Sequence, residues 1–165
     1  MHTMSAGFSI PSAVYRIKQL KEAEPESWSD LCQAVTQAHR QIRMQPQTTD
    51  HSCLTICEHS GNTSLRFDDS LIGLGVISFN GSRAHQQAGD AFILTRGIHQ
   101  TADYSCNTNH LPYSFLVRVV LLLADFYCPT SWQITTDIPL SDWQQTADWI
   151  AKYLNLACRI PDLNA

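Results

Sequence analysis

Residues 112–127 read PYSFLVRVVLLLADFY, the most apolar stretch of the chain. Pro112 suits the first turn of a helix, and Pro129 ends one, because proline lacks the amide that a helix interior uses. A helix that is apolar nearly all round is buried on both sides. We therefore expect this helix at the centre of the molecule, against a β-sheet. Its two adjacent apolar faces are formed by Phe115, Val119, Leu122 and Phe126, and by Leu116, Val120 and Leu123.

Strands are predicted on both sides of this helix, at Ala91–Thr95 and Trp132–Thr136. Together with the helix they would form a β-α-β unit, with a right-handed crossover if the two strands are parallel. Upstream, Cys53–Cys57 and Thr63–Phe67 alternate around a turn and predict a hairpin. Leu71–Phe79 is β-branched and apolar, and its two glycines indicate a weak strand or a bulge.

Helical patterns occupy three further segments: Pro11 to about Glu24, Ser27–Pro46 and Ser141–Leu154. Apolar residues recur at helical spacing in each of them. In the second and third, a serine stands at the N-cap position. The first segment depends on the spacing of Val14, Ile17 and Leu20.

These elements predict an α+β fold. An antiparallel or mixed sheet of four to five strands packs on the central apolar helix, with two N-terminal helices and a C-terminal helix. The 165 residues suffice for one domain with a buried core. We expect a single domain over 1–165, with a flexible leader at 1–10, a helical part at 11–45 and an α+β core at 51–156. The polar stretch 45–50 is the predicted hinge.

Charge and composition narrow the class of function. The chain is 44% hydrophobic and 16% charged, with 11 basic and 15 acidic residues, and neither half is basic. Nucleic-acid binding is disfavoured, because binding to the phosphate backbone needs a cationic footprint. No apolar run approaches the ~20 residues that span a bilayer, and residues 1–11 lack the pattern of a secretory signal. We expect a cytoplasmic protein that does not contact membranes and keeps its six cysteines reduced.

One set of residues could form a thiol-dependent active site. Cys106 precedes the apolar helix, and a thiol near a helix N-terminus has a lowered pKa. His110 or His99 would serve as the base, and Asp103 or Asp137 would orient it. Such a site would make the protein a hydrolase or transferase acting on an amide, ester or thioester. The alternative is a cysteine that simply lies in a loop against the core.

A second set, His51, Cys53, Cys57 and His59, has zinc-ligand chemistry. On an extended strand, however, Cys53 and Cys57 lie about 13 Å apart, too far for one ion. An ordinary strand with buried thiols is the favoured interpretation, and we predict no metal ligands. Gly73 and Gly75 do not complete a dinucleotide fingerprint, and no phosphate-binding loop is present, so no cofactor is predicted.

Without a complete catalytic motif, the favoured interpretation is a non-enzymatic binding module. Loops 80–90 and 97–111 would form its recognition surface. The predicted binding residues are Asn80, Tyr113 and Trp132. The apolar helix and an exposed tryptophan suggest a protein partner or a second copy of the chain, and a small ligand is also possible.

An ordered set of motifs lies within residues 77–150: Phe79-Asn80-Gly81, Ala91–Arg96, Cys106-x-Thr108-x₃-Pro112-Tyr113, Val117–Ala124, Thr136-Asp137 and Trp143. This set resembles a group of uncharacterised small proteins from phages, prophages and bacteria. In that group a basic residue is expected after the cysteine, where this chain has Asn107. The resemblance implies an accessory protein of a mobile element and implies no reaction.

Overall fold

The structure is a computed structural model that describes residues 12–44, 54–98 and 103–163. These residues form an α+β fold with three helices and two antiparallel sheets of three strands each. The predicted leader 1–10 and hinge 45–50 lie outside the described residues. The elements are β1 (Val14–Gln19), α1 (Pro25–Met44), β2 (Ile72–Gly73), β3 (Val76–Phe79), β4 (Phe92–Thr95), β5 (Asp103–Asn107), α2 (Ser114–Tyr127), β6 (Trp132–Thr136) and α3 (Leu140–Leu154).

Helix α2 is the buried apolar helix that the sequence predicts. From Leu116 to Ala124 every residue except Arg118 is at most 1% exposed. Helices α1 and α3 both pack against it, and its N-terminal end lies against the first sheet. Full burial of one such side chain contributes about 1.5–3 kcal/mol. Among the helices of the described residues, none is both long and apolar enough to cross a membrane.

The first sheet has the order β5-β1-β6, with β1 antiparallel to both neighbours. Tyr15 and Ile17 alternate with the exposed Arg16 and Lys18, so one face of the sheet is buried and the other is open. The predicted helix at Pro11–Glu24 is therefore wrong. Its spacing pattern was coincidental, since the buried residues of β1 recur with the strand period of two. Pairing on both edges fixes the segment as a strand.

The second sheet has the order β2-β3-β4. The segment predicted as one strand, Leu71–Phe79, is a hairpin that turns at Gly75, whose φ of +69° favours glycine. Phe79 and Phe92 face each other with ring centroids 5.1 Å apart. Of the hairpin predicted upstream, the described part contains a single bridge between Cys57 and Ser64.

Two further predictions need correction. Strands β4 and β6 belong to different sheets, and β6 is antiparallel to β1, so they form no β-α-β unit. Instead of one sheet of four to five strands, the described residues form two smaller sheets. The Gln19 side chain links them by donating to the carbonyl oxygens of Thr95 and Arg96, at 3.2 and 2.9 Å.

The burial of α2 predicts a large difference between two leucine substitutions. Leu121 is fully buried, whereas Leu74 at the tip of the β2–β3 hairpin is fully exposed. Leu121→Ala should lower the free energy of unfolding by about 2–5 kcal/mol, because it leaves a cavity in the core. Leu74→Ala should change it by less than about 0.5 kcal/mol. Urea unfolding measures both, and equal effects would contradict the placement of α2.

Candidate functional site

Cys106 lies on β5, opposite Tyr15 in the register, and not in a loop. Its thiol is fully buried and donates to the carbonyl oxygen of Asp90 at 3.4 Å. Burial and, to a smaller extent, the nearby charge of Asp90 raise the pKa of the Cys106 thiol to about 12. The sequence predicted a thiol activated by the start of the apolar helix. In the structure the thiol is instead strongly held in its protonated form.

The other residues predicted for catalysis interact with groups other than the Cys106 thiol. His110 is exposed and has a positive φ of 58°. The Asp137 carboxylate accepts hydrogen bonds from the Val14 amide at 2.8 Å and the Ser12 hydroxyl at 2.9 Å. Partial burial opposes ionisation of Asp137, but these bonds and the nearby His110 give it a net lowered pKa. Asp137 thus anchors the start of β1.

His99 lies outside the described residues, and Asp103 is exposed at the start of β5. The polar side chains that affect the Cys106 thiol in the described part are those of Asp90, Tyr104 and Tyr113. None of these is a histidine or an amine, the bases that usually activate a nucleophilic thiol or hydroxyl. In the described part of the chain, Cys106 therefore has no histidine partner among the groups that affect it.

The three residues predicted to bind a partner are all buried. The Asn80 amide donates to the carbonyl oxygens of His59 and Gly89, and its oxygen accepts from the amides of Gly81 and Gly89. The Tyr113 hydroxyl donates to the carbonyl oxygen of Asp90 at 2.6 Å. The rings of Trp132 and Trp28 have centroids 6.2 Å apart. These three side chains therefore form hydrogen bonds and ring contacts within the fold.

The two ends of loop 80–90 are closely packed, whereas residues 83–86 at its tip are exposed. A Cβ atom at Gly81 would lie 2.0 Å from the Gln87 carbonyl oxygen, and one at Gly89 would lie 2.6 Å from the Tyr113 hydroxyl. Only glycine fits at such approaches. In the other predicted loop, 97–111, residues 103–107 form β5.

Of the four residues with zinc-ligand chemistry, the structure describes two. His51 and Cys53 lie outside the described residues, Cys57 is buried and the His59 side chain is largely exposed. Burial raises the pKa of the Cys57 thiol, which opposes the thiolate that zinc needs. Throughout 12–44, 54–98 and 103–163, no cluster of three or more metal-ligating side chains occurs.

A cavity of about 350 Å³ lies between the N-terminal end of α2 and α3, and we name it the Arg118 cavity. Its volume is at the lower end of the range for small-molecule sites, roughly 300–1,000 Å³. Half of its lining residues are apolar, and the others carry charges or hydrogen-bonding groups. They are Leu54, His110, Leu111, Pro112, Ser114, Phe115, Arg118, Asp142, Gln145 and Trp149.

Hydroxyl groups hold the Arg118 guanidinium in place. Its Nε donates to the Thr146 hydroxyl at 2.9 Å, and one terminal nitrogen donates to the hydroxyls of Tyr15 and Ser114 at 3.2 and 3.3 Å. Burial raises the pKa of the Tyr15 hydroxyl, which stays neutral and can accept this bond. Three elements, β1, α2 and α3, thus fix one cation.

Among the described residues, no carboxylate comes within ion-pair distance of Arg118. The guanidinium carbon lies 6.0 Å from the centroid of the Phe115 ring, which attracts cations weakly. A half-buried cation without a counter-ion is costly, because hydroxyl dipoles replace only part of its hydration. Such a group has spare capacity for an anionic ligand, and a guanidinium binds carboxylate and phosphate particularly well.

One signal for this site is visible in the sequence, although it belongs to no motif. Arg118 is the single charged residue between Phe115 and Ala124. Charged residues are rarely placed in a buried helix unless they are paired or used. The sequence does not predict the Tyr15 partner, because β1 is predicted as a helix, and the Thr146 partner depends on the packing of α3 against α2.

Comparisons with known proteins give no relative. No protein-family model, curated protein or solved structure matches this chain.

The burial of Cys106 predicts slow alkylation. In the folded protein, iodoacetamide should modify Cys106 far more slowly than in denaturant, because the thiolate is scarce and inaccessible. The rate should still rise with pH throughout the range from about pH 7 to pH 9, because the pKa of the thiol, about 12, lies far above it. Mass spectrometry of tryptic peptides follows the modification, and the less buried Cys32 is the internal reference. Rapid labelling of folded Cys106 at neutral pH would restore the thiol-enzyme hypothesis.

Proposed function

We propose that this protein is a non-enzymatic binding module that recognises an anionic group in the Arg118 cavity. One observation carries the proposal: the cation is held by three hydroxyl groups, without a carboxylate partner among the described residues, and lines a cavity of about 350 Å³. Positioned donors of this kind lower the entropic cost of binding a ligand.

The geometry disfavours the alternative, a hydrolase or transferase that uses Cys106. That chemistry needs a thiolate within reach of a base, and here the thiol is buried with its pKa raised to about 12. The Arg118 cavity does not include Cys106 among its lining residues. A binding function needs neither a thiolate nor a general base.

The proposal also includes a biological setting for the protein. The resemblance to small phage and bacterial proteins over residues 77–150 favours an accessory protein of a mobile element, acting in the cytoplasm. Two features favour self-association in the sequence: the apolar helix, and an exposed tryptophan at Trp132 or Trp149. Helix α2 and Trp132 are buried within one chain, and Trp149 is half-buried beside the Arg118 cavity. A ligand or partner that presents an anion therefore takes precedence over a second copy.

Substitution of Arg118 tests this proposal with acetate and inorganic phosphate as probes. Titration of the ¹⁵N-labelled protein should shift the resonances of Ser114 and the Trp149 indole. Arg118→Gln should abolish these shifts, because it removes the one guanidinium among the described lining residues. Arg16→Gln is the matched control, since Arg16 is exposed on the open sheet face. It should leave the shifts unchanged.

Arg118→Gln also removes hydrogen bonds that stabilise the fold. Gln145→Glu therefore provides a second variant, because it adds a negative charge at an exposed lining residue and leaves every Arg118 bond intact. It should weaken probe binding at least severalfold, whereas Gln37→Glu on α1 should not. Absence of probe shifts in the wild type, or equal effects of the two glutamates, would overturn the proposal.

A further inference from the structure

The Arg118 cavity contains two opposite charges that do not neutralise each other. Arg118 and Asp142 both line it and both are half-buried, yet they form no ion pair within 4.0 Å. The Asp142 carboxylate accepts no hydrogen bond from any described residue, although its backbone oxygen accepts one from the Thr146 hydroxyl. Its position in the first turn of α3 provides only a partial compensation through the helix dipole.

This pair of charges discriminates between classes of ligand. A simple anion would pair with Arg118 and be repelled by Asp142. A simple cation would pair with Asp142 and be repelled by Arg118. A zwitterion that carries a carboxylate and an ammonium group satisfies both at once, and its net charge of zero costs less to desolvate than an isolated ion.

The remaining wall of the cavity is apolar. The rings of Phe115 and Trp149 meet edge to face with centroids 5.2 Å apart, and Leu111 lies beside them. Such a wall stabilises an apolar or aromatic group by burial and ring contact. A bare inorganic ion would leave this surface without a partner.

We propose that the ligand is a free α-amino acid with an apolar side chain. Its carboxylate pairs with Arg118 beside the Ser114 hydroxyl, its ammonium group pairs with Asp142, and its side chain packs on Phe115 and Trp149. His110 and Gln145, the other polar lining residues, contribute hydrogen bonds at the rim. This inference rests on the proposed function and adds the chemical class of the ligand.

Four probes test it by calorimetry and by ¹⁵N chemical-shift titration: phenylalanine, N-acetyl-phenylalanine, phenethylamine and inorganic phosphate. The acetyl group removes the ammonium charge, and phenethylamine lacks the carboxylate. Phenylalanine should bind at least tenfold more tightly than each of the other three, since every other probe leaves one lining charge unpaired.

Asp142→Asn should reduce the affinity for phenylalanine about tenfold and leave that for N-acetyl-phenylalanine unchanged or increased, because it removes only the partner of the ammonium group. Asp148→Asn is the matched control, on the same helix but not lining the cavity. It should change neither affinity. Circular dichroism verifies that both variants are folded.

The outcomes separate this inference from the proposed function. Arg118-dependent binding of phosphate or N-acetyl-phenylalanine, without preference for phenylalanine and without an effect of Asp142→Asn, would overturn the amino-acid ligand and leave the anion site standing. Tightest binding of N-acetyl-phenylalanine would identify the carboxyl terminus of a peptide instead, and would also overturn it. If no probe binds, the inference and the proposed function both fail.

Discussion

The burial of α2 is the constraint on which the rest of the structure depends. Eight residues between Leu116 and Ala124 are at most 1% exposed, so every side of the helix must be covered. Seven of the eight are leucine or valine, and the burial of each such side chain contributes about 1.5–3 kcal/mol. Helices α1 and α3 and the buried face of the β5-β1-β6 sheet provide the cover. The same arrangement forces the one charged residue of the segment, Arg118, to find polar partners at the edge of the core.

Those partners explain why the site lies where it does. The Arg118 guanidinium reaches the Tyr15 hydroxyl on β1 and the Thr146 hydroxyl on α3, so the cation connects the sheet to the last helix. Ser114 contributes a third hydroxyl from the first turn of α2. Hydroxyl groups hold the cation without neutralising it, and this leaves its charge available to a ligand. In the proposed function, stability and recognition use the same side chain, since the bonds that fix Arg118 in the fold also orient it toward the cavity.

Much of the fold could be predicted from local patterns. The predictions that are wrong share one cause, because each depends on contacts between segments that are distant in sequence. Helices α1, α2 and α3 and strand β6 follow from apolar periodicity and flanking prolines. Strand β1 was predicted as a helix because Val14 and Ile17 also fit helical spacing, and only pairing with β5 and β6, which are distant in sequence, decides between the two. Around Cys106 the residue types suggest an active site, but burial on β5 raises the pKa of the thiol to about 12. The charge of Arg118 was visible in the sequence, whereas its cavity depends on tertiary packing.

Native-state hydrogen exchange tests the central claim most directly. Amides from Leu116 to Ala124 should exchange only through global unfolding, with a free energy of opening equal to that of urea unfolding and an equal dependence on denaturant, because no local fluctuation can expose a helix covered on all sides. The exposed end of α3 around Lys152 should exchange by local opening. Fast exchange along α2, at a free energy well below the global value, would contradict a covered helix and with it the site that Arg118 builds.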